Sequence, residues 1–552
     1  MIKMPPTLEN PFYYLKNFDT VLDWVCTRYR HLINDAEEQL IACVNALPRP
    51  SRALLVRMIM RKGPFFRISK LAYDEIGCAR EALHALVQHG LVDARPQLSL
   101  DQLAGLLTKA ELIAAFGPAP GGAAAKKAEL LDALRTRFDG TRSFDEWHPT
   151  SEDGVCEVLI QPLCERVKLL FFGNCRQDWS EFVLSDLGIF KYETVELSAA
   201  SHGLRTREDV DRYLQLYRLG ERFENGEATG EILKELPTII SDNDWLEVRR
   251  ARLVFKLAQQ LERTGLLRDA LALYSGCGYP GARVRAIRML ERCGNTSAAH
   301  ALAMAADLNP ESEAEQQQIE RMLPRLQRRL GMPLSARRFT PAVTRVDLDL
   351  PEPIEWYCVE QLVAAHLATQ DAPLFYVENT LINSLFGLLC WSAIFAPVPG
   401  AFFHPFQSGP ADLRSADFHR RREQEFHDCL AQLDSSEYIA TIRRNFADKT
   451  HTVSPFVAWQ YLSEELLELA LHCIPATHLK KLFMRMLADV RSNCTGFPDL
   501  IQFWPHEKRY RMIEVKAPND RLQDNQIRWL DYCAAHDIPV GVCYVQWLQE
   551  AA

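Results

Sequence analysis

Gly496-Phe497-Pro498-Asp499-Leu500 and, after a polar turn, Met512-Ile513-Glu514-Val515-Lys516 are the two runs on which the reading of this chain turns. Asp499 follows a proline at the start of a short apolar run. Fifteen positions later a second apolar run carries Glu514 and Lys516 interleaved with Ile513 and Val515. Side chains alternate along a strand, so on a strand Glu514 and Lys516 share one face. Hydrolysing a phosphodiester requires charge on the phosphate to be offset, a water to be deprotonated near neutral pH and the leaving oxygen to be stabilised. Two carboxylates and a lysine on adjacent strands meet those needs. Asp499 and Glu514 offer the oxygen ligands that a hard divalent cation, Mg2+ or Mn2+, prefers, and Lys516 can orient the water or stabilise the phosphate.

The surrounding pattern agrees. Residues 499–504 read as a strand, 505–509 as a turn and 510–515 as the returning strand. Ala517-Pro518-Asn519-Asp520 breaks that strand, and its Asn and Asp are suited to cap the next helix. The helix is amphipathic, with Leu522, Ile527, Leu530 and Tyr532 among Arg521, Gln526, Arg528 and Asp531. Gln526 followed by Trp529 is a supporting feature. Residues 538–545 close as a buried strand. Strand, strand, helix, strand bearing P-D-x(n)-E-x-K is the core of a restriction-endonuclease-like, PD-(D/E)xK nuclease. The bland alternative is a surface hairpin with an exposed salt bridge.

The run GFPDLIQFW…MIEVKAPNDRLQDNQIRWL resembles the virus-type replication-repair nuclease (VRR-NUC) domain, and more closely that of the Fanconi-associated nuclease family. The resemblance extends upstream, since a SAP-like unit, a helical repeat and a C-terminal nuclease come in that family's order. It implies a structure-specific endonuclease that cuts branched double-stranded DNA near 5′ flaps, with 5′-to-3′ exonuclease activity, in interstrand-crosslink repair. It also implies a further acidic ligand before an apolar helix. Here Phe375-Tyr376-Val377-Glu378-Asn379 precedes the apolar residues 381–389, which makes Glu378 the third carboxylate and turns the Val515 carbonyl to the metal. The expected metal set is therefore Glu378, Asp499, Glu514 and Val515, and the expected catalytic set Glu378, Asp499, Glu514 and Lys516. On its own, Glu378 also reads as a polar residue at a helix N-terminus. Eukaryotic members begin with a ubiquitin-binding zinc finger. This chain starts almost directly in its globular part without those cysteines, so a prokaryotic member acting in the cytoplasm or nucleoid is expected, or in the nucleus if eukaryotic. Two other readings stand beside this one: a Holliday-junction-type resolvase, which would need a dimer, and a non-catalytic scaffold that binds branched DNA.

Upstream, Leu381 to Phe403 is apolar and about long enough to cross a bilayer. Asn383, Ser384, Pro397 and Pro399 interrupt it, so it reads as a helix buried in a large core and broken at Ala396-Pro397, with no membrane contact. Arg420, Arg421 and Arg422 in an insertion after Phe402, and Arg491 with Lys480-Lys481, are placed to meet phosphate, the alternative being a solvated basic helix. Gly331 to Pro353 reads as an extended linker, which starts the nuclease domain at residue 354 and runs it to 552.

Residues 245–335 carry a repeat. Leu261-Glu262-Arg263-Thr264-Gly265 recurs as Leu290-Glu291-Arg292-Cys293-Gly294, and Ala270 and Leu273 recur as Ala299 and Leu302, a tetratricopeptide-like helix, Gly turn, helix. Residues 141–244 read as a mixed α/β connection, with strands over 157–160 and 167–172 and mixed character continuing at Asp178-Trp179 and Phe190-Lys191-Tyr192. Residues 96–140 resemble a SAP module, a DNA-binding pair of helices. Ser99 starts the first helix, Gly117 to Ala125 is a Gly/Ala-rich insertion, and Lys126 and Lys127 start the second helix, where cations and free N–H groups suit phosphate. A generic helical hairpin is the alternative. Residues 1–95 read as a helical DNA-binding domain whose Arg57, Arg61, Lys62, Arg67 and Lys70 form either a DNA contact or a solvated face.

A chain of 552 residues is too long for one ordinary domain, and 47% apolar with 24% charged residues is a balance that buries real cores. The fold class is thus multidomain and mainly α, with a C-terminal α/β nuclease core. A net charge of −9 argues against a protein coated in nucleic acid but leaves room for local basic faces. Fifteen cysteines without a C-x-x-C pair, and no H-E-x-x-H, point to free thiols in a reducing, intracellular compartment and give zinc no support. The N-terminus has no basic flank followed by an apolar core, so no secretory signal is expected.

Overall fold

The computed structural model describes residues 10–61, 63–118, 126–177, 191–197, 203–238, 242–334, 342–352 and 358–548. Lys62, most of the Gly/Ala-rich insertion, Asp178-Trp179, Phe190, Pro341 and Pro353 lie outside the described residues. The chain divides into two compact units, residues 1–190 with 204–214, and 191–203 with 215–552.

The first unit opens with helices Tyr13–Arg28, Asp35–Ala46, Arg49–Ile59 and Ala79–Gln88. The second starts in a capping box: Asn34 accepts the Glu37 N–H, and the Glu37 carboxylate accepts that of Asn34. The strands are β1 (Phe65–Arg67), β2 (Val92–Asp93), β3 (Leu98–Ser99), β4 (Thr141–Arg142) and β5 (Val155–Val158). β5 lies between β1 and β2, antiparallel to both. Residues 155–158 therefore complete the sheet of the N-terminal region and do not begin a separate connecting domain. Residues 167–172, expected as a strand, are instead the end of helix Gln161–Phe172. A continuous apolar run does not distinguish the two states by periodicity. Here Pro162 in the first turn and the left-handed Gly173 (φ 67°) at the end settle it.

The SAP-like unit has three helices, Leu100–Leu106, Lys109–Phe116 and Lys127–Arg135, where two were expected. The β3–β4 ladder closes it beyond residue 140. Trp147 completes its core, its Nε1–H donating to the Leu98 carbonyl at 2.8 Å.

In the second unit, helices Asp244–Arg263, Leu267–Ser275, Ala282–Arg292, Thr296–Leu308 and Glu313–Arg329 form the solenoid. The repeat read in the sequence is physical. Gly265 and Gly294 both turn the chain in the left-handed region (φ 83° and 82°). Glu262 pairs with Arg285 and Arg292 of the next helical pair, and Glu291 repeats the tie to Arg325 and Arg329. The last solenoid helix is fastened to the nuclease: Gln317 exchanges hydrogen bonds with Asp524 and Arg528. Arg485, buried against Trp529 and Tyr532, donates to Glu313.

The nuclease sheet consists of β6 (Thr344–Pro351), β7 (Leu374–Tyr376), β8 (Leu500–Trp504), β9 (Arg509–Lys516) and β10 (Val540–Leu548), in the order β6-β10-β9-β8-β7. β8 is antiparallel to β7 and β9, while β10 is parallel to β9 and β6. β6 corrects the linker reading, because residues 344–351 pair along β10 and carry the sheet upstream of residue 354. Val346, Leu348 and Leu350 alternate with Arg345, Asp347 and Asp349, a half-buried strand whose flanking prolines suggested a linker.

Residues 381–394 form helices Leu381–Leu389 and Trp391–Ile394 inside the largest core, around Phe386. The break falls at Cys390, not at Ala396-Pro397. Among the described residues no helix is long and apolar enough to cross a membrane. All fifteen cysteines are free thiols.

Candidate active site

Asp499 immediately precedes β8, Glu514 and Lys516 end β9, and Glu378 lies two residues past β7. The register brings these three ends together, since Leu500 faces Ile513 on one side and Tyr376 on the other. The Val377 N–H donates to the Asp499 carbonyl at 2.8 Å, and the Val515 N–H donates to Asp499 Oδ2 at 2.8 Å. Asp499 is thus pinned by backbone from both neighbouring strands.

The turn before it is built to hold this pose. Gly496 adopts φ 91°, and a Cβ there would meet Asn525 atoms at 2.8–2.9 Å, so both conformation and space demand glycine. Phe497 packs on buried Trp529 with ring centroids 4.1 Å apart, which seats the turn on helix Asp524–Ala535. That helix is capped by Gln523, whose N–H donates to Gln526 Oε1 at 2.8 Å, and not by Asn519 or Asp520 as expected. Gln526 therefore helps to start the helix on which the turn rests.

Glu514 is fully buried. Lys516 Nζ stands 2.7 Å from its Oε1, and no other donor among the described residues reaches either oxygen. Burial, then the charge of Asp499, pushes the Glu514 carboxyl up to about 8 against the pull of Lys516. Burial likewise pushes Asp499 up to about 6, with Glu360 and Glu378 acting in the same direction and the Val515 N–H and Lys516 opposing. Both buried carboxyls therefore resist ionisation, each raising the cost of charging the other. A cation beside such a pair would supply the missing positive charge.

Glu378 accepts the Tyr376 hydroxyl at 2.6 Å and Asn379 Nδ2 at 3.1 Å. Glu360, in the first turn of helix Val359–Leu367, is the acidic residue that sequence reasoning missed. It accepts the Cys358 thiol at 2.7 Å, and its charge reaches Asp499. Nothing local marked it: an acid in a helix first turn is ordinary, and only the crossing of that helix over the sheet brings it here. The donor set is all oxygen, which fits a hard divalent cation. Among the described residues, no three of these side chains already stand close enough to enclose one.

The expected phosphate contacts divide. Arg422 is fully buried, with its guanidinium held by both oxygens of Asp412 (2.8 and 2.9 Å), and Arg421 is tied to Asp412 and the Pro399 carbonyl. Those two are structural, because a buried Asp412 needs them, and only Arg420, 79% exposed, stays available. Removing one side of such a buried pair costs about 3–5 kcal/mol. Arg422→Met is accordingly expected to lower the denaturant midpoint strongly, while Arg420→Ala shifts stability by no more than about 0.5 kcal/mol. Equal midpoints for the two variants would refute the assignment.

Lys127 is also occupied, donating to the Ala104 and Leu107 carbonyls at 2.7 and 2.8 Å, and the Lys126 N–H is taken by Glu129. The Lys126 side chain is exposed. Arg491 is exposed and donates to the Tyr279 hydroxyl at 2.9 Å. Lys480 pairs with Asp434, and Lys481 donates to the His536 carbonyl. In the N-terminal cluster, Arg57 is paired with Glu75, and Arg67 with Asp153 and Glu111, which leaves Arg61 and Lys70 exposed.

Comparison with known proteins follows the same division of the chain. Residues 434–547 match the family model of the VRR-NUC domain, residues 12–93 that of the FAN1 HTH domain, and residues 97–147 that of the Fanconi anemia-associated nuclease SAP domain. The chain is 52% identical over 542 residues to the Fanconi-associated nuclease 1 homolog of Pseudomonas aeruginosa, spanning 98% of this chain and 97% of that protein. It is 26% identical to the Arabidopsis thaliana homolog over 97% of this chain and 67% of that one. The crystal structure of paFAN1 bound to 2nt 5′flap DNA with gap superposes with a TM-score of 0.94 at 51% identity, covering 99% of this chain and all of that one.

Proposed function

This chain belongs to the Fanconi-associated nuclease family, as one of its prokaryotic members, and from that premise we propose that it is a structure-specific DNA endonuclease cutting branched duplexes near a 5′ flap, with 5′-to-3′ exonuclease activity, in interstrand-crosslink repair. The observation that carries the reading is the buried carboxylate of Glu514, facing Asp499 at the strand ends with Lys516 as its one donor among the described residues.

Asp499, Glu514, Glu378 and the Val515 carbonyl would hold a divalent cation, and Glu360, whose charge acts on Asp499, is a further acidic group at that edge. Mg2+ and Mn2+ both suit an all-oxygen set. The cation, when bound, offsets charge on the phosphate and makes water nucleophilic near neutral pH. The protein's own groups do the rest. The backbone bonds to Asp499 fix its carboxylate through Oδ2, which leaves Oδ1 to meet the cation. Glu514 would offer a second carboxylate to it, and its Oε1, 2.7 Å from Lys516 Nζ, orients that ammonium. The Lys516 ammonium would donate to the scissile phosphate or the attacking water, stabilising the charge that develops there. A substrate of chromosomal DNA, together with free thiols throughout, supports action inside the cell.

The test compares labelled 5′-flap, four-way-junction and linear duplex DNA, with Mn2+ and with chelator. Cuts near the flap junction, dependent on cation, are expected. Symmetrical paired cuts on the four-way junction would favour the resolvase, and binding without cutting would favour a scaffold.

A further inference from the structure

Tyr376 ends β7, the edge strand of the nuclease sheet, and is 44% exposed. Its hydroxyl is nonetheless engaged, donating to Glu378 Oε2 at 2.6 Å. The other Glu378 oxygen accepts Asn379 Nδ2 at 3.1 Å. Asn379 sits in the left-handed region (φ 50°). Its Oδ1 accepts the Gly496 and Phe497 N–H groups at 2.8 and 3.2 Å. Asn383 braces the same junction, donating to the Asn379 and Cys494 carbonyls at 2.7 and 2.9 Å. Tyr376, Glu378 and Asn379 are thus linked by hydrogen bonds to the turn that delivers Asp499.

A tyrosine needed only to fix a carboxylate gains from burial, where its hydrogen bond is stronger. One left on a wet edge with its hydroxyl anchored presents a ring held at one end to solvent, beside the proposed site. Ordered aromatic faces of this kind are platforms for unpaired bases, because every base has a π-face and stacking needs no sequence match. We propose that Tyr376 is a positioning and substrate-contacting residue: its hydroxyl sets the orientation of Glu378, and its ring stacks on an unpaired nucleobase next to the scissile phosphate. The inference rests on the reading of Glu378, Asp499 and Glu514 as the cation-holding site. It adds a reason why a branch with unpaired bases would be selected.

The hydroxyl and the ring separate experimentally. Tyr376→Phe keeps the ring and loses the anchor. Its Mn2+ affinity, measured by calorimetry, is expected to weaken about 10- to 100-fold, as for other residues that orient a ligand, while its KM for flap DNA holds. Tyr376→Ala loses both, and its KM for the flap is expected to rise about tenfold or more besides. A flap carrying 2-aminopurine at the junction supplies a direct signature: binding without divalent cation quenches its fluorescence in the wild type and in Tyr376→Phe, and not in Tyr376→Ala. Glu378→Gln separates the two layers of inference. If it leaves Mn2+ binding unchanged, the cation-site reading fails. If it weakens Mn2+ binding while Tyr376→Phe does not, or if Tyr376→Ala quenches like the wild type, the proposal for Tyr376 fails and the site stands.

Discussion

Glu514→Gln is expected to give a folded protein that binds flap DNA and cuts it roughly a thousandfold more slowly. The amide keeps the shape of the carboxylate and removes the charge that a cation and Lys516 would share. Because the wild-type carboxyl is fully buried with one ion-pair partner, it folds at neutral pH without cation by keeping a proton that the unfolded chain releases, which costs folding free energy. The variant is therefore expected to be at least as stable as the wild type at neutral pH without cation. Loss of activity with no loss of stability is the pattern of a residue kept for chemistry. Asp499→Ala is expected to be equally inactive but less stable, since it strips the acceptor from the buried Val515 N–H, at about 1–3 kcal/mol. Single-turnover cleavage, a gel shift and a denaturation curve on each protein make the comparison. Wild-type cleavage by Glu514→Gln would remove that residue from the site.

Chelation is expected to abolish cleavage outright, and the pH dependence of the cation-free protein shows why. Glu514 is pushed up to about 8 from an ordinary value of 4.5, and Asp499 to about 6 from 3.8. Between those values the folded protein keeps protons that the unfolded chain has released, so raising the pH favours unfolding. The contribution of these two carboxyls to stability without cation should be fully present below about pH 4 and be lost progressively toward about pH 8. A bound cation takes the place of those protons. Its affinity should rise with pH over the same window, and binding at neutral pH should release protons. Calorimetric titration with Mn2+ in two buffers of different ionisation enthalpy counts them, and denaturation midpoints with and without Mn2+ test the slope. Proton-neutral binding, or a cation-free protein that gains stability as the pH rises from 5 to 8, would overturn this account.

How much of the site could be read in advance depended on whether its signal was local. Asp499, Glu514 and Lys516 were legible because a two-residue period and one short turn connect them, and the register of β8 with β9 follows from both. Glu378 was reached through family resemblance, and the structure adds the Tyr376 and Asn379 hydrogen bonds that hold it. Glu360 had no signature, because what matters is the path of its helix across the sheet. The arginine run at 420–422 misled for the converse reason. Charge is visible in a sequence and burial is not, and Asp412, the partner that draws Arg422 inside, lies ten residues away in a loop. β6 was concealed by prolines that mark its ends, and residues 167–172 by an apolar run that suits either a helix or a strand.

The sequence by itself determined the family, the multidomain and mainly helical class, the helical repeat and the carboxylates and lysine at the ends of β8 and β9. Each of these is written in short-range periodicity or in a motif whose spacing one hairpin enforces. Tertiary structure alone decided which side chains ionise with difficulty, which basic residues face solvent, and which distant segments complete the nuclease sheet and its acidic edge. Those properties depend on desolvation and on contacts between residues far apart in the chain, and no local pattern encodes them.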